Sequence, residues 1–384
     1  MIKNLNAFFR NRQALAIGLV FMTISTLFGS WVTRIPDIKT MLNFDEGTLG
    51  LSLLGMSIGA LLMMPFSAWI MSKFGTGRTM FYGVIVATFT MALPTFATSF
   101  WSLVALLFLA GLLHGLTDVA MNAAAAAIEQ KQRIRIMSTC HGMFSTGGML
   151  GAVLGSFLAG LGISVQLHLM SVAVFLILIV ILFSKTLLSV ENVETEEGKL
   201  FVLPSGALIG LAVVGFVIMM GEGAVADWSA IYIRDYLNGS AAIAGLGFAG
   251  FSLTMAVGRF AGDSIIPKYG SKAIIQFGSI LGAVGLGLVI FIPNTYVAIV
   301  GFTLIGLGFS CIVPILFSAA AKVPGIVPGT GIAAVTTSGI FGFLVGPPSI
   351  GLIAEAFSLT FAYGCMMVLV IAAIFISIRI QIHD

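Results

Sequence analysis

Three polar side chains recur every four residues in an otherwise apolar stretch, LLHGLTDVAMNAAAA: His114, Asp118 and Asn122. On a helix that spacing sets them in one stripe along a single face. A carboxyl group between an imidazole and an amide can take up and release a proton while the amide bonds a solute. Asp118 and His114 are therefore candidates for proton coupling and Asn122 for solute binding. A static hydrogen bond between helices would use the same stripe. A second acid, Glu222, stands between Gly221 and Gly223. The two glycines remove bulk around the carboxylate and soften the helix, as expected of a bending or discontinuous segment beside a cavity. Glu222 is a candidate for both proton and solute contact.

Asp227 and Trp228 follow five and six residues later, and Trp31 and Arg34 hold a similar place early in the chain. The two tryptophans can stack on a sugar or other ring, or belong to an interfacial aromatic belt. Arg34 and Asp227 make a candidate gate pair, with Asp37 or a lipid headgroup as other partners for Arg34. Arg259 and Asp263, four apart in VGRFAGD, share a helix face and form either an intrahelical ion pair or a second gate.

These residues matter because of what surrounds them. Of 384 residues, 59% are apolar and 9% charged, against about 25% charged in soluble domains, and the mean hydropathy is +1.11. Only a bilayer solvates such a chain. A span needs about 20 apolar residues. Turn chemistry cuts the sequence into twelve such stretches: 14–36, 47–73, 79–98, 101–128, 137–161, 165–184, 205–235, 241–267, 273–292, 295–321, 328–354 and 358–379. The result is an all-α membrane protein. Asp118 and Glu222 then lie deep inside the fourth and seventh spans. There the low dielectric disfavours the charged form of a carboxyl group, which suits a reversible proton carrier.

Threading twelve spans alternately collects most Lys and Arg on one face, among them Lys73, Arg78, Lys131, Lys185, Lys268 and Lys322, with only Arg34, Lys39 and Arg234 opposite. The basic face of a bacterial membrane protein is cytoplasmic, so both termini are expected there. The polar interruption at 185–204 is read as a cytoplasmic linker between two six-helix bundles, 1–184 and 205–384. An offset of 195 superposes Gly111 on Gly306, Gly147 on Gly342 and Gly151 on Gly346, and one of 197 superposes Trp31 on Trp228. The halves therefore read as a duplication. Small residues along GMFSTGGMLGAVLGSFLAG mark a packing face on the fifth span. Pro314, Pro347 and Pro348 are expected to bend spans ten and eleven. Cys140, Cys311 and Cys365 are too scattered for a metal site or a disulfide framework.

Several segments carry a family resemblance. SAWIMSKFGTGRTM resembles the loop signature of the major facilitator superfamily, with Gly75 and Arg78 in frame and Ser72 where that signature has Asp. SWVTRIPDIK, LTDVAMNAAAA, CHGMFSTGG, GEGAVADWSAIYIR, VGRFAGD and FGFLVGPPSIG resemble the fucose/glucose:proton symporter branch and, more closely, its YbjJ-like relatives. The resemblance implies a fold of two pseudo-symmetric six-helix bundles and a site near the midplane. It also implies that Asp118 stands where those symporters carry a proton-coupling Glu and Asn122 where they carry Asn, while their acid in the first span is replaced by Arg34.

The expected activity is secondary active transport of a small polar solute, a sugar or related metabolite among the options, coupled to protons and embedded in the bacterial inner membrane. A proton-coupled exporter of hydrophobic compounds and a non-transporting receptor are the alternatives. No catalytic residue, metal ligand set, cofactor motif or nucleic-acid surface is read from the sequence, and a monomer is expected.

Overall fold

The computed structural model describes residues 8–134, 136–192, 202–380 and 382, without the side chain of Asp263. Arg135 and Lys199, part of the charge asymmetry, and 193–201 of the linker lie outside the described residues. The described residues are helical with no strand, and twelve helical stretches are long and apolar enough to cross a membrane.

In chain order the helices are α1 Arg12–Leu42, α2 Glu46–Phe74, α3 Thr76–Ala92, α4 Phe100–Gln132, α5 Met137–Gly160, α6 Val165–Leu182 and the short α7 Ser184–Leu188. They continue as α8 Leu208–Ile231, the short α9 Ala241–Ala244, α10 Leu246–Tyr269, α11 Ser271–Phe291, α12 Thr295–Phe309, α13 Ile312–Ala321, α14 Pro328–Ala356 and α15 Leu359–Arg379. The expected first span is too short. α1 runs through Pro36 to Leu42 and stops at Asn43, which caps it in the left-handed conformation at φ 53°. Proline removes one helical hydrogen bond, and the Arg34–Asp37 pair and Thr40 Oγ1 bonding to Pro36 O tie that turn together.

The chain divides into two compact units. One is Met1–Asn43, Ser52–Glu196 and Ser240–Gly245, and the other is Phe44–Leu51, Glu197–Gly239 and Leu246–Asp384. In the first unit the most extensive seam joins α1 to α5, and in the second α8 to α14. Lipid gives no hydrophobic drive for helices to associate, so close backbone packing must hold these seams. Gly147 and Gly151 supply it on α5: a Cβ on either would lie 2.4 or 1.9 Å from the main-chain oxygens of Met22 and Thr26. On α14, Gly342 and Gly346 lie on Phe216 O and Met220 O, with corresponding distances of 2.5 and 3.5 Å. The duplicated glycines thus sit in duplicated contacts.

The junctions repeat as well. α2 and α3 are separated by Gly75 alone, at φ 87° and ψ 147°, and α10 and α11 by Gly270, at φ 81° and ψ 149°. That conformation is open in practice only to glycine. Asn192, just past α7, accepts a hydrogen bond from Thr76 N at 3.3 Å on its Oδ1, capping α3 in place of the missing side chain.

Candidate functional site

Within the first unit, α4 is placed by glycine. Gly111 and Gly115 lie on the backbone of α2 at Met56 and Ala60, where a Cβ would come within 2.1 and 2.8 Å of main-chain oxygens. This contact leaves the neighbouring face of α4, with His114, Asp118 and Asn122, half-buried. Asn122 Nδ2 donates to Asp118 O at 2.9 Å and lies 3.3 Å from Asp118 Oδ1. His114 faces Phe28 of α1, with ring centroids 6.5 Å apart. The structure therefore brings the expected stripe together, partly accessible, near the middle of a 33-residue helix.

Arg34 is buried, with 4% of its side chain exposed, and its Nε lies 2.6 Å from Asp37 Oδ2. Its Nη2 donates to the main-chain oxygen of Ile163 at 2.7 Å. Of the partners read from the sequence, Asp37 is the one observed within this unit. Trp31, also on α1, is 1% exposed. His168 on α6 went unnoticed in the sequence. It is fully buried beside Arg34, and neither ring nitrogen has a hydrogen-bond partner among the described residues. A lone histidine inside the apolar run VQLHLMSVAV was its signal.

In the second unit Glu222 sits on α8, which runs unbroken from Leu208 to Ile231. Of the bending or discontinuous segment expected around Gly221 and Gly223, the discontinuous form does not occur there; a break lies in the tenth span, where α12 ends at Phe309 and α13 starts at Ile312. Pro314 explains the position, since its ring conflicts with the carbonyl four residues earlier, that of Ser310, and it has no N–H to donate. Pro347 and Pro348, by contrast, lie inside the continuous α14.

Gly221, next to Glu222, packs on the break: a Cβ there would lie 2.8 Å from Phe309 Cε2. Glu222 is half-buried, and its Oε1 is buried without a hydrogen-bond partner among the described residues. Arg259 of α10 lies half-buried in the same unit. Sequence spacing assigned Arg259 to Asp263, whose side chain lies outside the described residues. Asp227 is half-buried on α8, and Trp228 is fully buried, its ring against Gly351 of α14. In this conformation both tryptophan rings are enclosed, while the two acids keep accessible surface. No cluster of three or more metal-ligating side chains occurs among the described residues.

Comparison with known proteins agrees with this architecture. The family model described as Major Facilitator Superfamily matches residues 13–322, and again 211–381. An uncharacterized MFS-type transporter of Yersinia pestis is 33% identical over 94% of this chain and 93% of its own length. Membrane protein MosC of Rhizobium meliloti is 30% identical over 90% of this chain and 84% of its own. Among solved structures, the nucleoside transporter NupG superposes with a TM-score of 0.74 over 97% of this chain and 100% of its own, at 14% identity. Such low identity speaks for the fold alone. With twelve spans, duplicated glycine seams and a family match across both halves, this chain is a multi-pass membrane transporter, not an enzyme, and belongs to the Major Facilitator Superfamily.

Proposed function

We propose that the chain is a proton-coupled secondary transporter that carries a small polar solute across the bacterial inner membrane by alternating access, with both termini in the cytoplasm. The observation that carries this reading is the Asp118–Asn122 pair. An ionisable side chain at mid-membrane costs about 2.5–3.5 kcal/mol even on the lenient scale. Asp118 nonetheless keeps some accessible surface in the middle of α4, beside an amide that bonds it. A purely structural acid would gain nothing from that accessibility.

In this reading Asp118 exchanges the proton, Asn122 joins solute binding to coupling, and Glu222 serves the second unit. The stripe resembles the fucose/glucose:proton symporter pattern, with Asp118 in place of its Glu. That resemblance favours a hydrophilic cargo over a hydrophobic drug. The test is uptake into proteoliposomes of a panel of sugars, polyols, nucleosides and small organic acids under an imposed pH gradient. Gradient-dependent accumulation of one class supports the reading. Gradient-driven expulsion of lipophilic cations or dyes, with no hydrophilic solute accumulated, overturns it in favour of an exporter.

A further inference from the structure

The one-residue junction at Gly75 joins two exposed helix faces that are built in the same order. On α2 the exposed side chains Leu62, Phe66, Trp69 and Lys73 recur every three or four residues, and on α3 so do Arg78, Tyr82, Val86 and Phe89. Each face runs from apolar residues through an aromatic ring to a cation at the junction. From 62 to 73, and again from 78 to 89, the helix rises about 16 Å at 1.5 Å per residue, close to the roughly 15 Å of hydrocarbon in one leaflet. Lys73 Nζ lies 5.3 Å from the centroid of the Trp69 ring and 5.6 Å from that of Phe74, so the ammonium is held beside apolar surface. The segment after α6 packs on the two glycines of the junction. A Cβ on Gly77 would lie 2.6 Å from Leu187 O, and one on Gly75 2.5 Å from Asn192 Oδ1. Lys73 and Arg78 stay exposed beside it.

We propose that Lys73 and Arg78 hold the phosphate of one anionic phospholipid, whose acyl chain lies along Tyr82, Val86 and Phe89 while Trp69 flanks its headgroup. Charge complementarity is the first ground. Among the described residues neither cation has a carboxylate partner. Ser72, beside Lys73, brings no charge and spends its hydroxyl on Trp69 O at 2.8 Å. Glu191, next to Asn192, is taken by Lys131 at 2.5 Å. An ammonium and a guanidinium fork five residues apart, across a one-residue turn, suit a phosphate diester that offers several acceptor oxygens. The apolar bed is the second ground, because a free phosphate would gain nothing from it whereas an acyl chain covers it. The duplicated junction is the third. At an offset of 195, Lys268 and Gly270 repeat Lys73 and Gly75, and Lys268 Nζ lies 5.0 Å from the centroid of the Tyr269 ring. Yet Ala273 stands in the place of Arg78 and Ser264 in that of Trp69, and Lys272 donates to Ile378 O at 2.7 Å. The second half keeps the turn and lacks the two-cation clamp, so the site belongs to the first half alone.

Native mass spectrometry of the purified full chain, mixed in detergent with equimolar dioleoylphosphatidylglycerol and dioleoylphosphatidylcholine, reads which lipid stays bound. The wild type is expected to retain the anionic lipid over the zwitterionic one by about fivefold or more, the factor that one Lys or Arg contributes near an anionic surface. Lys73→Gln/Arg78→Gln should bring the ratio close to one. Lys268→Gln/Arg379→Gln, which removes two exposed charges from the second unit, should leave the preference intact, as should the charge-conserving Lys73→Arg/Arg78→Lys. No preference in the wild type, a preference that survives Lys73→Gln/Arg78→Gln, or an equal loss in Lys268→Gln/Arg379→Gln each overturns the proposal. Displacement of the phosphatidylglycerol by millimolar inorganic phosphate also overturns it, in favour of a site for free anions. Should the first double variant fail to fold, Lys73→Gln and Arg78→Gln are read singly, and an undiminished preference in both has the same meaning. Neither a transported solute nor a pH gradient enters the measurement, so its failure would leave the transport reading standing.

Discussion

Gly111 and Gly306 stand 195 residues apart, and each lets its helix lie directly on a main-chain oxygen, those of Met56 and Phe251, which are themselves 195 residues apart. A methyl group at either position would sit 2.1 or 2.2 Å from that oxygen. Overpacking of this kind costs about 1–3 kcal/mol. Gly111→Ala and Gly306→Ala are each expected to lower the unfolding temperature of the purified protein by several degrees, and by similar amounts. Gly364→Ala, where nothing lies within 4 Å of the added atom, serves as the control and is expected to be neutral or slightly stabilising. Equal behaviour of all three would show that the seams are loose.

Topology is tested at the stub of the linker. Lys185 is exposed on α7, and the native Cys140 and Cys311 are buried while Cys365 is half-buried. Lys185→Cys in a Cys365→Ser background should resist a membrane-impermeant maleimide added to intact cells and react after the membrane is opened. Labelling in intact cells would reverse the proposed orientation.

Hydropathy and glycine made the spans and the duplication legible in the sequence, because both are set by local composition and by a repeat offset. Proline acts differently from span to span: Pro314 follows the break between α12 and α13, whereas α1 continues through Pro36 and α14 through Pro347 and Pro348, since a helix survives proline wherever its neighbours hold the turn closed. The stripe His114–Asp118–Asn122 was readable because it lies on one helix. The packing of Gly221, beside Glu222, on Phe309 at the break in the tenth span was not, since the two residues are on different helices. His168 escaped notice because its burial is set by neighbours on other helices, Thr33 and Gly155 among them.

Arg34 carries a prediction of its own. Its guanidinium is buried, while Asp37 is about a third exposed, at 32%. Water therefore makes up part of any loss when the acid is removed. Asp37→Asn is expected to cost about 1–2 kcal/mol of stability, measured by thermal unfolding, and to lower the transport rate. If the working partner during the cycle is Asp227, reversing both charges, Arg34→Asp with Asp227→Arg, preserves more transport than either change alone. A double variant no better than the worse single one removes Asp227 from the mechanism.

Asn122 donates to a carboxyl group, and a hydrogen bond to a charged group contributes about 1.5–3 kcal/mol. Asn122→Ala should therefore reduce the initial rate of gradient-driven uptake by roughly ten- to hundredfold, with folding yield intact. An unchanged rate would place Asn122 outside the working site.

Asp118→Asn tests the account most directly. Asparagine keeps the size of a protonated aspartate and much of its hydrogen bonding, including a partner for Asn122, but it cannot release a proton. In proteoliposomes loaded with the solute identified by uptake screening, the variant is expected to retain counterflow exchange and solute binding while losing accumulation driven by a pH gradient. A well-folded Asp118→Asn protein that still accumulates solute against its gradient when a pH gradient is imposed would contradict the assignment of Asp118 as the coupling acid.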